Sequence, residues 1–179
     1  MTWMTRDTRI VYENPWIQVR EDAVSGPHGE GIYGVVRLRN PAVFIVAIDD
    51  EERVRLVRVD RYTVGSSWEV PAGGTDGEEP LIAAQRELHE ETGLKAENWT
   101  EIGAITALNG VAEAPEHIFL ARGLSAVSDA SPTQREEGID ELAWVPFAEA
   151  IAMIADGRIT DGETVAALAL AAIALGRLR

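Results

Sequence analysis

The chain has 179 residues, of which 46% are hydrophobic and 26% charged, so it supports one ordinary globular domain with a small appended sheet. It has no cysteine, which excludes disulfides, thiolate metal sites and thiol nucleophiles together and fits a reducing compartment. A formal net charge of −14, with Lys95 the single lysine, excludes a protein that tracks a nucleic-acid polymer, because that needs clustered Lys and Arg.

Residues 1–7 lack an apolar core of secretory length. The longest apolar run, residues 165–175, is too short for a bilayer. The expectation is a cytoplasmic protein with no membrane partner. Residues 10–12, 16–20 and 32–38 are β-branched or aromatic and partly alternating, so they read as strands, and the turn cluster 27–31 makes the last two a hairpin. Residues 42–48 are continuously apolar, as in a strand buried on both faces. The polar turn 49–52 leads into the alternating strand 54–59, and 68–70 is a short strand ending at Pro71. A helix begins after Gly77 and stops at Gly93, with Leu81, Ala84 and Leu88 on one face. Strands follow at 101–107, 117–121 and 139–145. Residues 148–155 form a second helix. A third runs from Thr160 to about 175, with Thr160 and Glu163 at capping-box spacing. Strands and helices at irregular intervals indicate an α+β sandwich.

The first helix carries the chemistry. Glu87, Glu90 and Glu91 fall within an arc of about 100° on a helix that advances roughly 100° per residue, next to the apolar face. Glu87 and Glu91 repel each other as an i,i+4 pair, and Arg86 offsets part of this by reaching Glu90. On spacing alone, a solvated acidic stripe and a site for a hard cation are equally good readings. The glycine-rich turn 71–78 ahead of the helix shifts the balance, because such a loop lets backbone groups approach a metal or phosphate closely.

Residues 73–94 read Gly-x4-Glu-x7-Arg-Glu-Leu-x-Glu-Glu-x-Gly-Leu and resemble the Nudix box, with the loop before Glu78 shorter by one residue than the family pattern. The resemblance implies a Nudix α/β/α sandwich with a mixed central sheet. It also implies an N-terminal antiparallel strand subdomain over 1–40, serving dimerisation and the substrate pocket, and a hydrolase domain over 41–179. By the same resemblance, Glu87 and Glu91 are the principal ligands of Mg2+ (or Mn2+), with Glu90 assisting and the Ala72 carbonyl capping the site. Glu91 and Arg86 belong to the catalytic group, and Glu78 and Arg86 brace helix and loop. A general base is then expected outside the helix, on the loop 130–138, where Glu137 aligns best and Glu136 next. Two surface loop glutamates are as often merely solvated. Glu113 and Glu116 are weaker rivals in another loop.

Residues 11–16, 61–62, 69–73, 117–121, 145–146 and 159–161 extend the likeness to the ADP-ribose pyrophosphatase branch. This implies a homodimer that exchanges N-terminal strands, and a nucleoside diphosphate sugar as substrate, with ADP-ribose cleaved to AMP and ribose 5-phosphate. Arg61, Glu69, Gly73 and Asn109 form the implied substrate-binding set, and Trp68, Tyr62 and Trp16 are candidates to stack on a base. Asn109 stands where that branch carries a proline, which keeps a GDP-hexose open as the alternative. His89, on the helix flank away from Glu87, reads as a surface residue, and His117 as structural. An isopentenyl diphosphate isomerase would need a cysteine. A non-catalytic Nudix-like sensor would have a degraded helix and an added DNA-binding domain. RNA decapping would need a basic surface.

Overall fold

The computed structural model describes residues 2–127 and 138–178. In chain order its elements are β1 (Met4–Glu13), β2 (Ile17–Gly26), β3 (Gly29–Leu38), β4 (Ala42–Ala47), β5 (Arg53–Arg61), β6 (Gly65–Glu69) and β7 (Ala72–Gly74). They continue with α1 (Pro80–Thr92), β8 (Leu94–Thr106), β9 (Ala112–Glu113), β10 (Pro115–Ala126), β11 (Ile139–Pro146), α2 (Phe147–Ala155) and α3 (Gly162–Ala174). The class is α+β. The chain divides into two compact units, one comprising the chain up to Pro41 with Thr106–Pro115, the other Ala42–Ile105 and the described residues from Glu116 onward.

The first unit is a four-stranded sheet in the order β1-β2-β3-β9. β1 and β2 are joined by a tight turn in which the Asn14 side-chain oxygen accepts the N–H groups of Trp16 and Ile17, at 2.9 and 2.8 Å. Such an Asx turn is a common use of Asn where a strand reverses. β2 and β3 pair without a register shift from Ile17↔Leu38 to Gly26↔Gly29, so the hairpin expected from residues 27–31 forms, with strands longer than the apolar pattern alone suggests. Arg20 ties this sheet together, donating to buried Asp22 at 3.0 Å and to Glu113 of β9 at 2.6 Å. β1 is an edge strand and all ten of its residues are exposed.

The second unit holds the core. β4 lies between β7, antiparallel to it, and β10, parallel to it, so this sheet is mixed. Alternate residues of β4 face opposite ways, as the strand period requires. Val43, Ile45 and Ala47 pack with Ala83, Ala84 and Leu88 of α1, while Val46 packs with Ala167, Leu168 and Ala171 of α3. A strand buried on both faces must be apolar at consecutive positions, which is why residues 42–48 read as a continuous run. A second sheet, β11-β5-β6, completes the unit.

Three local readings change. The α3 cap is Asp161, whose carboxylate accepts the Thr164 N–H at 2.7 Å; Thr160 is taken by the Ser67 hydroxyl at 3.4 Å instead. Leu81 is 38% exposed, and Ala83 takes the place expected for it in the core. The glycine-rich turn begins as a strand, β7, because the edge of β4 pairs with it (Phe44↔Ala72, Val43↔Gly73) although Ala and Gly have little strand preference of their own.

Candidate active site

α1 is delimited by Pro80 in its first turn and by Gly93, which closes it at φ 68° with its N–H on the His89 carbonyl. A left-handed closing residue suits glycine, which has no Cβ to clash. Between these stops, Glu87 and Glu91 are each only 5% exposed. Buried carboxylates need donors, and the loop and Arg86 supply them. Arg86 donates to Glu87 at 2.7 Å, Glu90 at 3.1 Å, Glu78 at 3.0 Å and the Gly74 carbonyl at 2.9 Å. Burial works against the Arg86 charge, but the Glu78, Glu87 and Glu90 carboxylates outweigh it and hold the guanidinium more firmly protonated than usual. Glu91 accepts the Ala72 N–H at 3.0 Å.

At Gly73 the loop runs directly against the Glu87 carboxylate. A Cβ there would stand 2.1 Å from Glu87 Oε1 and 2.2 Å from its carboxyl carbon, so only glycine leaves room for the carboxylate. The shortened loop is accommodated by consecutive left-handed residues, Asp76 at φ 50° and Gly77 at φ 86°. Glu87, Glu90 and Glu91 thus lie along one side of α1 with the β7 backbone beside Glu87 and Glu91, oxygen donors of the kind a hard cation takes. Among the described residues, no three acidic or imidazole groups converge on one point, and Glu87 and Glu90 are both held by Arg86.

This loop-and-helix unit lies inside the stretch, residues 38–168, that matches the family model described as NUDIX domain. The chain belongs to the Nudix family. A second model, the nucleoside diphosphate sugar hydrolase N-terminal domain, matches residues 3–36 of this Nudix chain. The chain is similar to an ADP-ribose pyrophosphatase of Mycobacterium tuberculosis, with 35% identity over 162 residues, 88% of this chain and 78% of the relative. It is also similar to a CMP-5'-(N-acetyl-N-hydroxy-3-aminopropyl)phosphonate hydrolase of Streptomyces rubellomurinus, with 32% identity over 176 residues, 95% of this chain and 82% of that protein. In fold it resembles the crystal structure of an ADP compounds hydrolase, at TM-score 0.84 and 22% identity, covering 99% of this chain and 98% of that one. It is accordingly a Nudix pyrophosphohydrolase by family.

The remaining expected residues of this Nudix enzyme are distributed as follows. Glu69, at the end of β6, is 5% exposed and accepts from Arg61 at 2.7 Å. The Arg61 guanidinium is held above its ordinary pKa by that bond, against burial, with the Glu69, Glu91 and Asp161 charges adding to it. Arg61 and Glu69 thus belong to the same electrostatic neighbourhood as the acidic helix. Asn109 lies in the exposed turn 107–111 of the first unit. Glu136 and Glu137 lie outside the described residues. Of the aromatic candidates, Trp68 packs against the core, whereas Trp16 and Tyr62 are exposed. His89 is half-buried and lines a cavity of about 450 Å³ with Arg86, Lys95 and Trp99, so it is less superficial than its sequence position indicates.

Glu116, expected in a loop as a rival base, lies instead in β10 and belongs to a second acidic group with Asp161 and Glu163. Glu116 is 6% exposed, and burial together with Glu163 and Asp161 pushes its carboxyl up to about 7. Glu163 is also raised, by burial first and then by its bond to Asp161 and the Asp161 and Glu69 charges. The signal was available: Glu116 shares the inward face of β10 with Ile118, and a carboxylate at an inward strand position is unusual.

Proposed function

We propose that the protein hydrolyses the pyrophosphate bond of a nucleoside diphosphate linked to another moiety, with ADP-ribose converted to AMP and ribose 5-phosphate as the leading case. The carrying observation is the buried pair Glu87 and Glu91, set against a Gly73 that has no room for a side chain and braced by Arg86. Glu87 and Glu91, with Glu90 and the Ala72 carbonyl, would hold Mg2+ (or Mn2+). Such ions neutralise the diphosphate and lower the pKa of a water. Arg86 and Glu78 keep the carboxylates aimed while charge accumulates, and Arg61, oriented by Glu69, is the cation available to the substrate's polar groups. Glu137, or Glu136 beside it, is the proposed base.

The ADP-ribose reading draws support from the 35% identity to an ADP-ribose pyrophosphatase. Asn109, at the position where that branch carries proline, favours a second reading, a GDP-hexose. The homodimer reading rests on the first unit, where Ile10, Tyr12, Trp16 and Ile32 are each more than half exposed. Both faces of this sheet thus carry exposed apolar side chains, Ile10 on one and Tyr12 and Ile32 on the other, which a second chain exchanging N-terminal strands would cover. Assays of ADP-ribose, GDP-mannose, NADH, diadenosine polyphosphates and 8-oxo-nucleotides, each with Mg2+ and with Mn2+, test the substrate. The expected result is highest kcat/KM on ADP-ribose; preference for an unconjugated 8-oxo-nucleotide would contradict the reading.

A further inference from the structure

Glu116 begins the row of β10 side chains that includes Ile118, which packs with Leu168 and Ala171 of α3. Its Oε2 is fully buried and meets no hydrogen-bond partner among the described residues. A buried carboxylate without a donor is costly, and its neighbours make it more so. From the start of α3 it faces Asp161 and Glu163. Glu69 of β6 adds its charge at Glu163, and Arg61 of β5 is bound to Glu69. The adjacent strand β4 contributes only Ala, Val, Phe and Ile. On β8, Glu101 is bonded to His117, whose side chain alternates to the other face.

Asp161 is tied directly to the active-site loop. Its carboxylate caps Thr164 N–H at 2.7 Å, and the Thr164 hydroxyl, fully buried, accepts the Val70 N–H at 3.1 Å. Val70 leads through Pro71 to Ala72, whose N–H holds Glu91 at 3.0 Å. The Pro71 carbonyl is itself fixed by Ile45 N–H at 2.9 Å. One line of short contacts therefore connects the neighbour of Glu116 to a carboxylate of the Nudix helix.

We propose that Glu116 is a positioning residue that acts by holding a proton: neutral, it leaves the Asp161 cap and the segment 70–72 aligned with Glu91; ionised, it repels Asp161 and Glu163 and loosens that line. Burial and the two neighbouring carboxylates place the change near pH 7, with the neutral form below it and the charged form above. The kinetic part of this inference rests on the hydrolase reading; the structural part does not.

Glu116→Gln retains the neutral shape at every pH. The ratio of its kcat to that of the wild type, measured at saturating substrate, is expected to rise several-fold between pH 6 and pH 8.5, because titration of the general base is common to both and divides out. Amide exchange reads the line without any substrate: relative to Glu116→Gln, the wild-type Val70 and Ala72 amides should lose protection above pH 7. Should Glu116→Gln fail to fold, Thr164→Val cuts the same line downstream, and its kcat ratio to wild type should show the same rise. A flat kcat ratio with pH-dependent exchange would overturn the positioning role, leaving Glu116 a local acid only. Exchange at Val70 and Ala72 that is equal in both proteins at all pH values would overturn the proposal outright. Absence of turnover on every substrate would sink the hydrolase reading instead, while the exchange measurement still decides the proton-holding line.

Discussion

Four acceptors meet one guanidinium at Arg86, and this explains how α1 carries three glutamates within one face and remains a helix. Its partners span loop and helix, so Arg86 fixes the distance between them as well as the charge. Gly73 fixes it from the other side. Gly73→Ala would place a methyl about where the Glu87 carboxylate now stands, and Glu87 must move. Because a displacement of about 1 Å near the chemistry costs on the order of 100-fold, kcat/KM should fall by roughly that factor, with cooperative unfolding preserved. Activity within a few-fold of wild type would show that Glu87 does not need its observed position. These residues were legible in the sequence because helical spacing fixes which side chains share a face. The surroundings of Glu116 were not, since its neighbours Asp161 and Glu163 lie far along the chain and only packing of α3 on the sheet brings them together.

Element by element, the long apolar and amphipathic segments were readable, whereas ends and short strands were not. β4 and α1 declare themselves through unbroken or periodic apolar content. The α3 cap falls one residue later than its capping-box spacing indicates, because Thr and Asp are both good caps and a distant partner, Ser67, decides between them. β7 exists only because β4 offers an edge. β1 presents the converse case, an edge strand of ten exposed residues that pairs with β2 on one side and with no strand of the described residues on the other. Exposed edges of that length usually find a partner, and a two-fold dimer is the simplest one. Light scattering at micromolar concentration should give the mass of two chains. Ile10→Glu with Ile32→Glu, at positions 52% and 74% exposed, should give one chain without loss of fold. A wild-type protein that is monomeric at that concentration would contradict the dimer.

At the scale of the whole molecule, a net charge of −14 is an unusual property for a protein that is to meet a diphosphate. Electrostatics alone would repel the substrate, and on the proposed reading cations held at the buried acidic helix offset that repulsion. The family was legible from about twenty residues around the Nudix box. The choice of nucleotide was not, because Asn109 and the loop glutamates depend on surroundings that spacing along the chain does not encode. Glu91→Gln tests the central claim most directly, since it removes one carboxylate charge while keeping an acceptor for the Ala72 N–H. With Mg2+ present, wild type should convert ADP-ribose to AMP and ribose 5-phosphate, and the variant should fold but lose most of that turnover. Hydrolysis by Glu91→Gln at a near-wild-type rate would contradict the assignment of this helix as the catalytic metal site.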